Sequence, residues 1–135
     1  MSVIVTDTGF GHDDWSGTFA THGAADAGAT ALDLPCDTDP STLAGRLDSL
    51  GMIRVDFPSF ADGRGFTIAR QLRLMGYTGR LRAAGHVISD QYTMARRAGF
   101  DEVEIPDELA RRQPEEQWLF RSDWKACDYQ ARLRG

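Results

Sequence analysis

One stretch decides the fold of this chain: Val55-Asp-Phe-Pro-Ser-Phe-Ala-Asp-Gly-Arg-Gly-Phe-Thr-Ile-Ala-Arg70. It begins within an alternating apolar and charged segment, Met52–Phe57, which predicts a strand. A glycine-rich turn follows, and Asp62 is placed to cap a helix over about Arg64–Met75, with Gly76 as its C-terminal glycine. The same order of strand, turn and helix recurs downstream, which indicates a chain built from βα units.

The repeat is marked by three glycines, Gly51, Gly76 and Gly99, each of which ends a helical pattern and leads into a strand. Short links between such strands and helices force parallel pairing with right-handed crossovers. The predicted strands are Ala29–Pro35, Met52–Phe57, Arg80–Ala84 and Asp101–Ile105, and the predicted helices run from Ser41 to about Leu50, over Arg64–Met75, and over Asp90–Ala98 with Ser89 as its cap. The predicted fold class is therefore α/β, with about four βα units and a parallel sheet.

The predicted strands alternate between apolar and charged residues, whereas parallel strands covered by helices on both faces are apolar throughout. Because successive side chains point to opposite faces of a strand, one face of the sheet should be apolar and covered by helices. The other face should carry charges that compensate one another, on Asp33, Arg54, Asp56, Arg82 and Glu104. Half of a (βα)8 barrel and a two-layer α/β sheet share these strand faces, so both architectures stay open.

The flanking segments differ from this core. Residues 1–28 are predicted to be peripheral, with a short strand at Val3–Thr6, and residues 106–135 are predicted to form a helical tail rich in aromatic side chains. We expect the tail to pack within the same chain, because a domain of this size can bury such residues itself. The prediction is a single domain over residues 1–135 with its βα core at residues 29–105.

Composition limits the classes of partner. The chain has 20 acidic and 15 basic residues and a formal net charge of −5, which argues against nucleic acid as a partner. No segment has the roughly 20 apolar residues that cross a bilayer, so we expect a cytoplasmic protein without a membrane partner. The charged sheet face also leaves a homodimer open.

Redox and cofactor signatures are weak in this sequence. Cys36 and Cys127 lie far apart and outside any Cys-x-x-Cys motif, so we expect no disulfide. His12 lies beside two aspartates, but their spacing does not bring together the ligands of a zinc site. A Gly-x-Gly-x-x-Gly turn for nicotinamide or flavin binding is missing as well. We therefore predict neither a metal nor a cofactor.

The loop Asp62-Gly-Arg-Gly65 is the first candidate site, because it follows the C-terminal end of a strand, where parallel α/β folds place ligands. Gly63 and Gly65 allow close approach of the backbone, the first amides of the helix point outward, and Arg64 adds a positive charge, which together suit an anion. The alternative is an ordinary glycine-rich helix entry, in which Asp62 occupies those amides itself.

The loop after the third strand is the second candidate site and carries His86, Asp90 and Gln91. If this loop lies next to the first one, His86 and Arg82 face the region of Arg64 across the strand ends. A histidine in that position is suited to proton transfer, although a loop histidine also serves as a surface residue or structural hydrogen-bonding group.

These motifs carry a family resemblance. Asp56-Phe-Pro58, Asp62-Gly-Arg-Gly65 and Asp90-Gln91 resemble a bacterial family of unknown function whose members are named as oxidoreductases involved in sulfite reduction, and whose genes commonly lie beside those for sulfite or nitrite reductase. The resemblance covers most of residues 29–105 and is strongest from Ile53 to Phe100. It implies an accessory role in assimilatory sulfate and sulfite reduction, with sulfite or nitrite reductase or its electron donor as the partner.

Two molecular roles are compatible with that resemblance. In the first, the charged sheet face and the aromatic tail dock onto the reductase or an electron donor. In the second, the protein is a small enzyme in which Arg64 and Arg82 hold an oxyanion such as sulfite while Asp56, His86 or Asp90 transfers protons. Charge compensation on the sheet face favours the first role.

Overall fold

A computed structural model describes residues 2–15, 18–21 and 30–122 of the chain. These residues form one seven-stranded sheet in the order β2-β1-β7-β6-β5-β4-β3. The strands are β1 (Ser2–Thr6), β2 (Gly9–Gly11), β3 (Ala20–Thr21), β4 (Ala31–Leu34), β5 (Met52–Phe57), β6 (Arg80–Gly85) and β7 (Glu102–Pro106). The helices are α1 (Arg64–Leu74), α2 (Tyr92–Ala98), α3 (Asp107–Arg112) and α4 (Glu115–Phe120).

The predicted parallel sheet is confirmed. Strands β3 to β7 pair in parallel, and the register places Asp33 opposite Arg54 and Arg54 opposite Arg82. Helices and sheet form a mixed α/β fold of two layers. The fold has two layers because apolar and charged residues alternate along the strands. Only one face of the sheet therefore offers the continuous apolar surface that a helix layer can cover.

The apolar face is the core of the molecule. Ile53, Val55 and Phe57 of β5 are buried against Ile68 and Leu72 of α1. Full burial of an aliphatic or aromatic side chain of this size contributes about 1.5–3 kcal/mol. Because the helices pack on the apolar face, the charged side chains of each strand lie on the opposite face of the sheet.

The first predicted helix, from Ser41 to about Leu50, is wrong. Two 3-10 turns, Pro40–Leu43 and Leu47–Ser49, take its place. Gly45 lies between them with φ at +85°, a left-handed conformation that stops a right-handed helix.

The helix start predicted at Ser89 also differs. A 3-10 turn over Ser89–Gln91 precedes α2, and its cap is formed by the side chain of Gln91, which accepts the Ile88 amide at 3.1 Å. Ser89 is held by the tail instead, since its amide donates to Gln113 Oε1 at 2.7 Å. A contact distant in sequence has replaced the local cap.

The N-terminal residues take a larger part in the sheet than the prediction of a peripheral segment allows. Strand β1 pairs antiparallel with β7 on one side and with β2 on the other. Val5 lies opposite Val103, faces the core and is fully buried, whereas Ile4 lies opposite Glu104 and is buried on the charged side of the sheet. The short strand predicted at Val3–Thr6 is thus confirmed and lies inside the sheet.

The tail packs within the chain as far as the structure describes it. Trp118 is buried, donates its indole NH to the Gln113 carbonyl at 2.9 Å, and meets the ring of Tyr92 edge-on at 6.2 Å. Such pairs add to the free energy of burial. Trp124 and Cys127 lie outside the described residues.

Candidate functional site

Arginine–carboxylate pairs connect the strands on the charged face of the sheet. Arg54 on β5 donates to both carboxylate oxygens of Asp33 on β4, one of them at 2.8 Å. Its Nη1 donates to Glu104 Oε1 on β7 at 3.1 Å. The planar guanidinium suits this two-sided pairing. Arg54 is therefore engaged by carboxylates on both sides.

Arg82 occupies the centre of this face, and its side chain has no exposed area. It donates to Glu102 Oε2 at 2.6 Å, to Glu104 Oε1 at 2.8 Å and to Asp13 Oδ1 at 3.0 Å. Burial alone would lower the pKa of Arg82, but the hydrogen bonds and charges of these carboxylates outweigh burial and raise it. A buried guanidinium is tolerated here because it is paired throughout.

Two residues before the βα core complete the network. Asp13 reaches Arg82, and Asp14 pairs with Arg80, which also donates to Glu102 at 2.7 Å. The hydrogen bond from Arg82 lowers the pKa of Asp13. A carboxyl with a lowered pKa stabilises the folded state above its unfolded pKa, and this contribution is lost as the pH falls through the folded pKa. At neutral pH the pairing therefore holds residues 13–15 on the charged face.

Phe19 covers the same face, with its ring centroid 3.9 Å from the guanidinium carbon of Arg54, a cation–π contact. The sequence patterns miss Phe19, Asp13 and Asp14 as members of this face. Asp13 is 69 residues from Arg82 in sequence, and the sequence pattern predicts no strand directly before it. No local signal in the sequence points to these contacts.

The loop Asp62-Gly-Arg-Gly65 is closed by its own side chains. Asp62 Oδ1 accepts the Arg64 amide at 3.1 Å, and Asp62 Oδ2 accepts from Arg64 Nη2 at 2.7 Å. Arg64 lowers the pKa of the Asp62 carboxyl through these hydrogen bonds. The carboxylate thus occupies both the first helical amide and the arginine that an external anion would need. The helix begins at Arg64 with Gly63 as its N-cap residue, so the residue predicted to be the cap, Asp62, lies one position before the cap.

Cys36 is the third member of this loop cluster. Its Sγ accepts from Arg64 Nη2 at 2.9 Å and donates to Asp62 Oδ2 at 3.4 Å. Burial, followed by the hydrogen bond to Asp62, raises the pKa of the thiol. A raised pKa favours the neutral thiol, which is the less nucleophilic form. The cluster therefore ties the end of β4 to the start of α1.

Gly65 has a packing role. A Cβ on residue 65 would stand 2.7 Å from Cε1 of Phe57, whose ring is itself packed against Phe66 and Phe100 with centroids 5.0 and 5.8 Å away. We predict that Gly65→Ala lowers the free energy of unfolding by about 1–3 kcal/mol through overpacking. Chemical denaturation monitored by circular dichroism measures this change.

Gly63→Ala is the matched control. A Cβ there would meet nothing nearer than 3.8 Å, so we expect a change within about 0.5 kcal/mol. Equal destabilisation by the two substitutions would contradict the packing role of Gly65.

Hydrogen bonds and an ion pair also hold the second candidate loop, after β6, against neighbouring segments of the chain. The amide of His86 donates to the Phe57 carbonyl at 2.9 Å, and the side-chain amide of Gln91 donates to the Phe60 carbonyl at 2.7 Å. Asp90 pairs with Arg121 after α4 at 3.0 Å. These contacts bring the two loops side by side and attach the tail to the second one.

The structure thus divides the predicted site residues into separate groups. The group of Asp62, Gly63, Arg64 and Gly65 lies at the start of α1 with Cys36. Arg82 belongs to the network of Glu102 and Glu104 on the sheet face. Asp56 and Gly85 line a cavity at the strand ends, His86 is exposed, and Asp90 and Gln91 make structural contacts.

Two features are absent from the described part of the chain, a metal-binding cluster and a membrane-spanning helix. Within residues 2–15, 18–21 and 30–122, no group of three or more His, Cys, Asp or Glu side chains could hold a metal ion. In the same part of the chain, no helix has the length and apolar character needed to cross a membrane.

Comparison with known proteins gives one result for this chain. A family model described as "Bacterial protein of unknown function (DUF934)" matches residues 31–134. No curated protein and no solved structure matches the chain. The matched range includes strands β4–β7 and both candidate loops, whereas Asp13, Asp14 and Phe19 precede it. The chain belongs to this family of bacterial proteins.

Proposed function

We propose that the protein is an accessory component of assimilatory sulfate and sulfite reduction and acts in the cytoplasm. In this role it binds sulfite or nitrite reductase, or the electron donor of the reductase, through the charged face of the sheet and the aromatic tail. The pathway rests on the resemblance of Asp56-Phe-Pro58, Asp62-Gly-Arg-Gly65 and Asp90-Gln91, and the binding role rests on the charges of the sheet face.

One observation supports a docking role over a catalytic one: the arginines of the candidate site are already engaged by carboxylates of the chain. Arg54 is paired with Asp33 and Glu104, and Arg82 with Glu102, Glu104 and Asp13. An oxyanion would have to displace several charge-assisted hydrogen bonds from each guanidinium. The face is better suited to a protein partner than to a free anion.

The same face indicates the sign of the partner. Among the described residues, six carboxylates and three guanidinium groups of this face give a formal net charge of −3, on Asp13, Asp14, Asp33, Asp56, Glu102, Glu104, Arg54, Arg80 and Arg82. Complementary potentials increase association rates and discriminate between partners. A partner that docks on this face should therefore present a basic surface.

A growth experiment tests the pathway. We expect deletion of the gene to impair growth on sulfate or sulfite as the sulfur source and to spare growth on cysteine. The same strain carrying the gene on a plasmid is the control. Equal growth of the deletion strain on all three sulfur sources would contradict the proposed pathway.

A binding experiment tests the molecular role. Purified sulfite reductase from the same bacterium should bind the protein in a titration by biolayer interferometry. Asp56→Lys, which reverses an exposed charge on the face, should weaken this binding about tenfold. Glu108→Lys on α3 is the control, because Glu108 is exposed on a helix whose Leu109 packs into the core. Equal weakening by both variants would count against docking through the sheet face.

The alternative function is a small enzyme that binds an oxyanion such as sulfite at the Asp62–Gly65 loop and Arg82. The observation in its favour is that the Arg64 side chain is 60% exposed despite its pairing with Asp62. Under this alternative, millimolar sulfite raises the melting temperature of the wild-type protein and has no effect on the Arg64→Ala variant. The docking proposal predicts no specific increase in either protein.

A further inference from the structure

A cavity of about 530 Å³ lies on the charged side of the sheet, at the carboxyl ends of the parallel strands. Pockets of about 300–1,000 Å³ are typical of ligand sites, and strand ends are where open α/β sheets place them. Part of the lining is apolar: Pro35, Ala84 and Pro106 contribute apolar side chains, whereas the side chains of Leu34 and Ile105 are buried in the core on the opposite face of the sheet. The cavity therefore offers room and apolar walls for a short hydrocarbon chain.

The charged groups of the cavity are Asp33, Asp56, Glu104 and Arg54. Three carboxylates and one guanidinium give the lining a formal net charge of −2. Arg54 donates to both Asp33 and Glu104, so the single cation of the lining is already neutralised. The cavity consequently disfavours an anion and favours a cation.

Asp56 is the carboxylate that remains available to a ligand. It is exposed on β5, and no hydrogen bond or ion pair of its side chain occurs in the described part of the chain. One of its oxygens lies near Gly85, 3.6 Å from where a Cβ of that residue would stand. An incoming donor would therefore meet a carboxylate at the rim of an apolar cavity.

We propose that this cavity receives a lysine side chain of a partner protein, with its methylene stem against the apolar walls and its ammonium group on Asp56. Long basic side chains bury an aliphatic stem and keep a charged end, which matches this division of the lining. The proposal rests on the docking role proposed above and adds to it the anchor that the partner inserts. It also explains why the lining of the cavity has a formal net charge of −2.

The test uses n-pentylammonium as a lysine side-chain probe and monitors ¹⁵N-labelled full-length protein by NMR. We expect saturable shifts of the Leu34, Ala84 and Gly85 amide signals at millimolar probe. n-Pentanol and pentanoate, matched in chain length, should bind at least about tenfold more weakly, because neither brings a positive charge to Asp56. Equal binding of the three probes, tighter binding of pentanoate, or no binding of pentylammonium would each overturn the proposal.

Two variants separate the parts of the site. Asp56→Asn, which changes an exposed side chain without described contacts, should weaken pentylammonium about tenfold. Ala84→Leu should reduce binding by filling the cavity while leaving Asp56 in place. Unchanged binding in either folded variant would show that the probe binds elsewhere and would overturn the proposal.

Two outcomes separate the cation site from the proposed partner. If pentylammonium binds at Asp56 but purified sulfite reductase does not bind the protein, the lysine-sized cation site stands and the proposed partner is wrong. If the reductase binds with equal affinity to wild type and Asp56→Asn, docking stands and the lysine anchor is wrong.

Discussion

Arg82→Ala should reduce the free energy of unfolding by about 3–5 kcal/mol, the range measured when one partner of a buried ion pair is removed. The side chain of Arg82 is fully buried, and those of Glu102 and Glu104 are 6% and 16% exposed. Its removal leaves the two glutamates close together with Arg80 and Arg54 as the remaining cations. Urea denaturation at neutral pH measures the change, because the urea concentration at the midpoint of unfolding falls while the slope m of the free energy against urea stays constant.

Arg70→Ala is the matched control for this prediction. Arg70 is an exposed arginine on α1, and surface substitutions of this kind change stability by within about 0.5 kcal/mol. Arg82→Lys adds a second comparison, because lysine keeps the charge but loses the planar fork that reaches several carboxylates. Denaturation midpoints that coincide for Arg82→Ala and Arg70→Ala would show that the charged face contributes little to the fold.

Gly85→Ala should reduce the free energy of unfolding by about 2–5 kcal/mol, because two unfavourable effects add at this position. The residue has φ at +116°, and a Cβ there would lie 2.6 Å from the carbonyl oxygen of Phe57. A left-handed backbone costs an L-residue roughly 1–2 kcal/mol, and overpacking costs a further 1–3 kcal/mol. Thermal and urea denaturation measure the loss. The same substitution should also displace the loop of His86, whose amide donates to that carbonyl.

Gly76→Ala isolates the backbone part of this effect. Gly76 has φ at +100°, and a Cβ there would meet nothing within 4 Å. We therefore expect only the backbone term, about 1–2 kcal/mol. If Gly85→Ala and Gly76→Ala were equally destabilised, the close approach of Gly85 to the Phe57 carbonyl would not be the reason that residue 85 must be glycine.

The parallel core was predictable from the sequence because alternation and glycine spacing act over a few residues. Strand β5 has the bounds predicted for it, Met52–Phe57, and the charges of Arg54 and Arg82 lie on one face as expected. A period of two fixes the face of every side chain once the pairing is known. The parallel pairing followed from the short links between strands and helices. Both the face of each side chain and the pairing of the strands could therefore be predicted from residues close together in sequence.

The elements that were missed depend on conformation or on contacts distant in sequence. Gly45 interrupts the expected helix through a positive φ, which no apolar pattern reveals. Asp13 reaches the face from outside the repeat, and Ser89 gives up its cap to a contact with Gln113. Interactions of this kind override local propensity.

The candidate site was predictable in part. Gly63 and Arg64 lie at the helix start as expected, but Asp62 takes both the amide and the guanidinium. The sequence left open whether Asp62 occupies the helix amides itself, and the geometry shows that it does and that it also holds the Arg64 guanidinium. The proposed lysine anchor on Asp56 depends on the cavity and had no counterpart in the sequence pattern.

Arginine Nε–H signals measured by ¹H–¹⁵N NMR during a sulfite titration show whether these guanidinium groups stay bound to the protein's own carboxylates, because Arg54, Arg64 and Arg82 each donate from Nε to a carboxylate of the chain. We expect millimolar sulfite to shift these three signals no more than sodium chloride does at matched ionic strength. A saturable shift of the Arg64 or Arg82 signal with sulfite alone would show that the arginines bind an external oxyanion and would rule out docking as the role of this face.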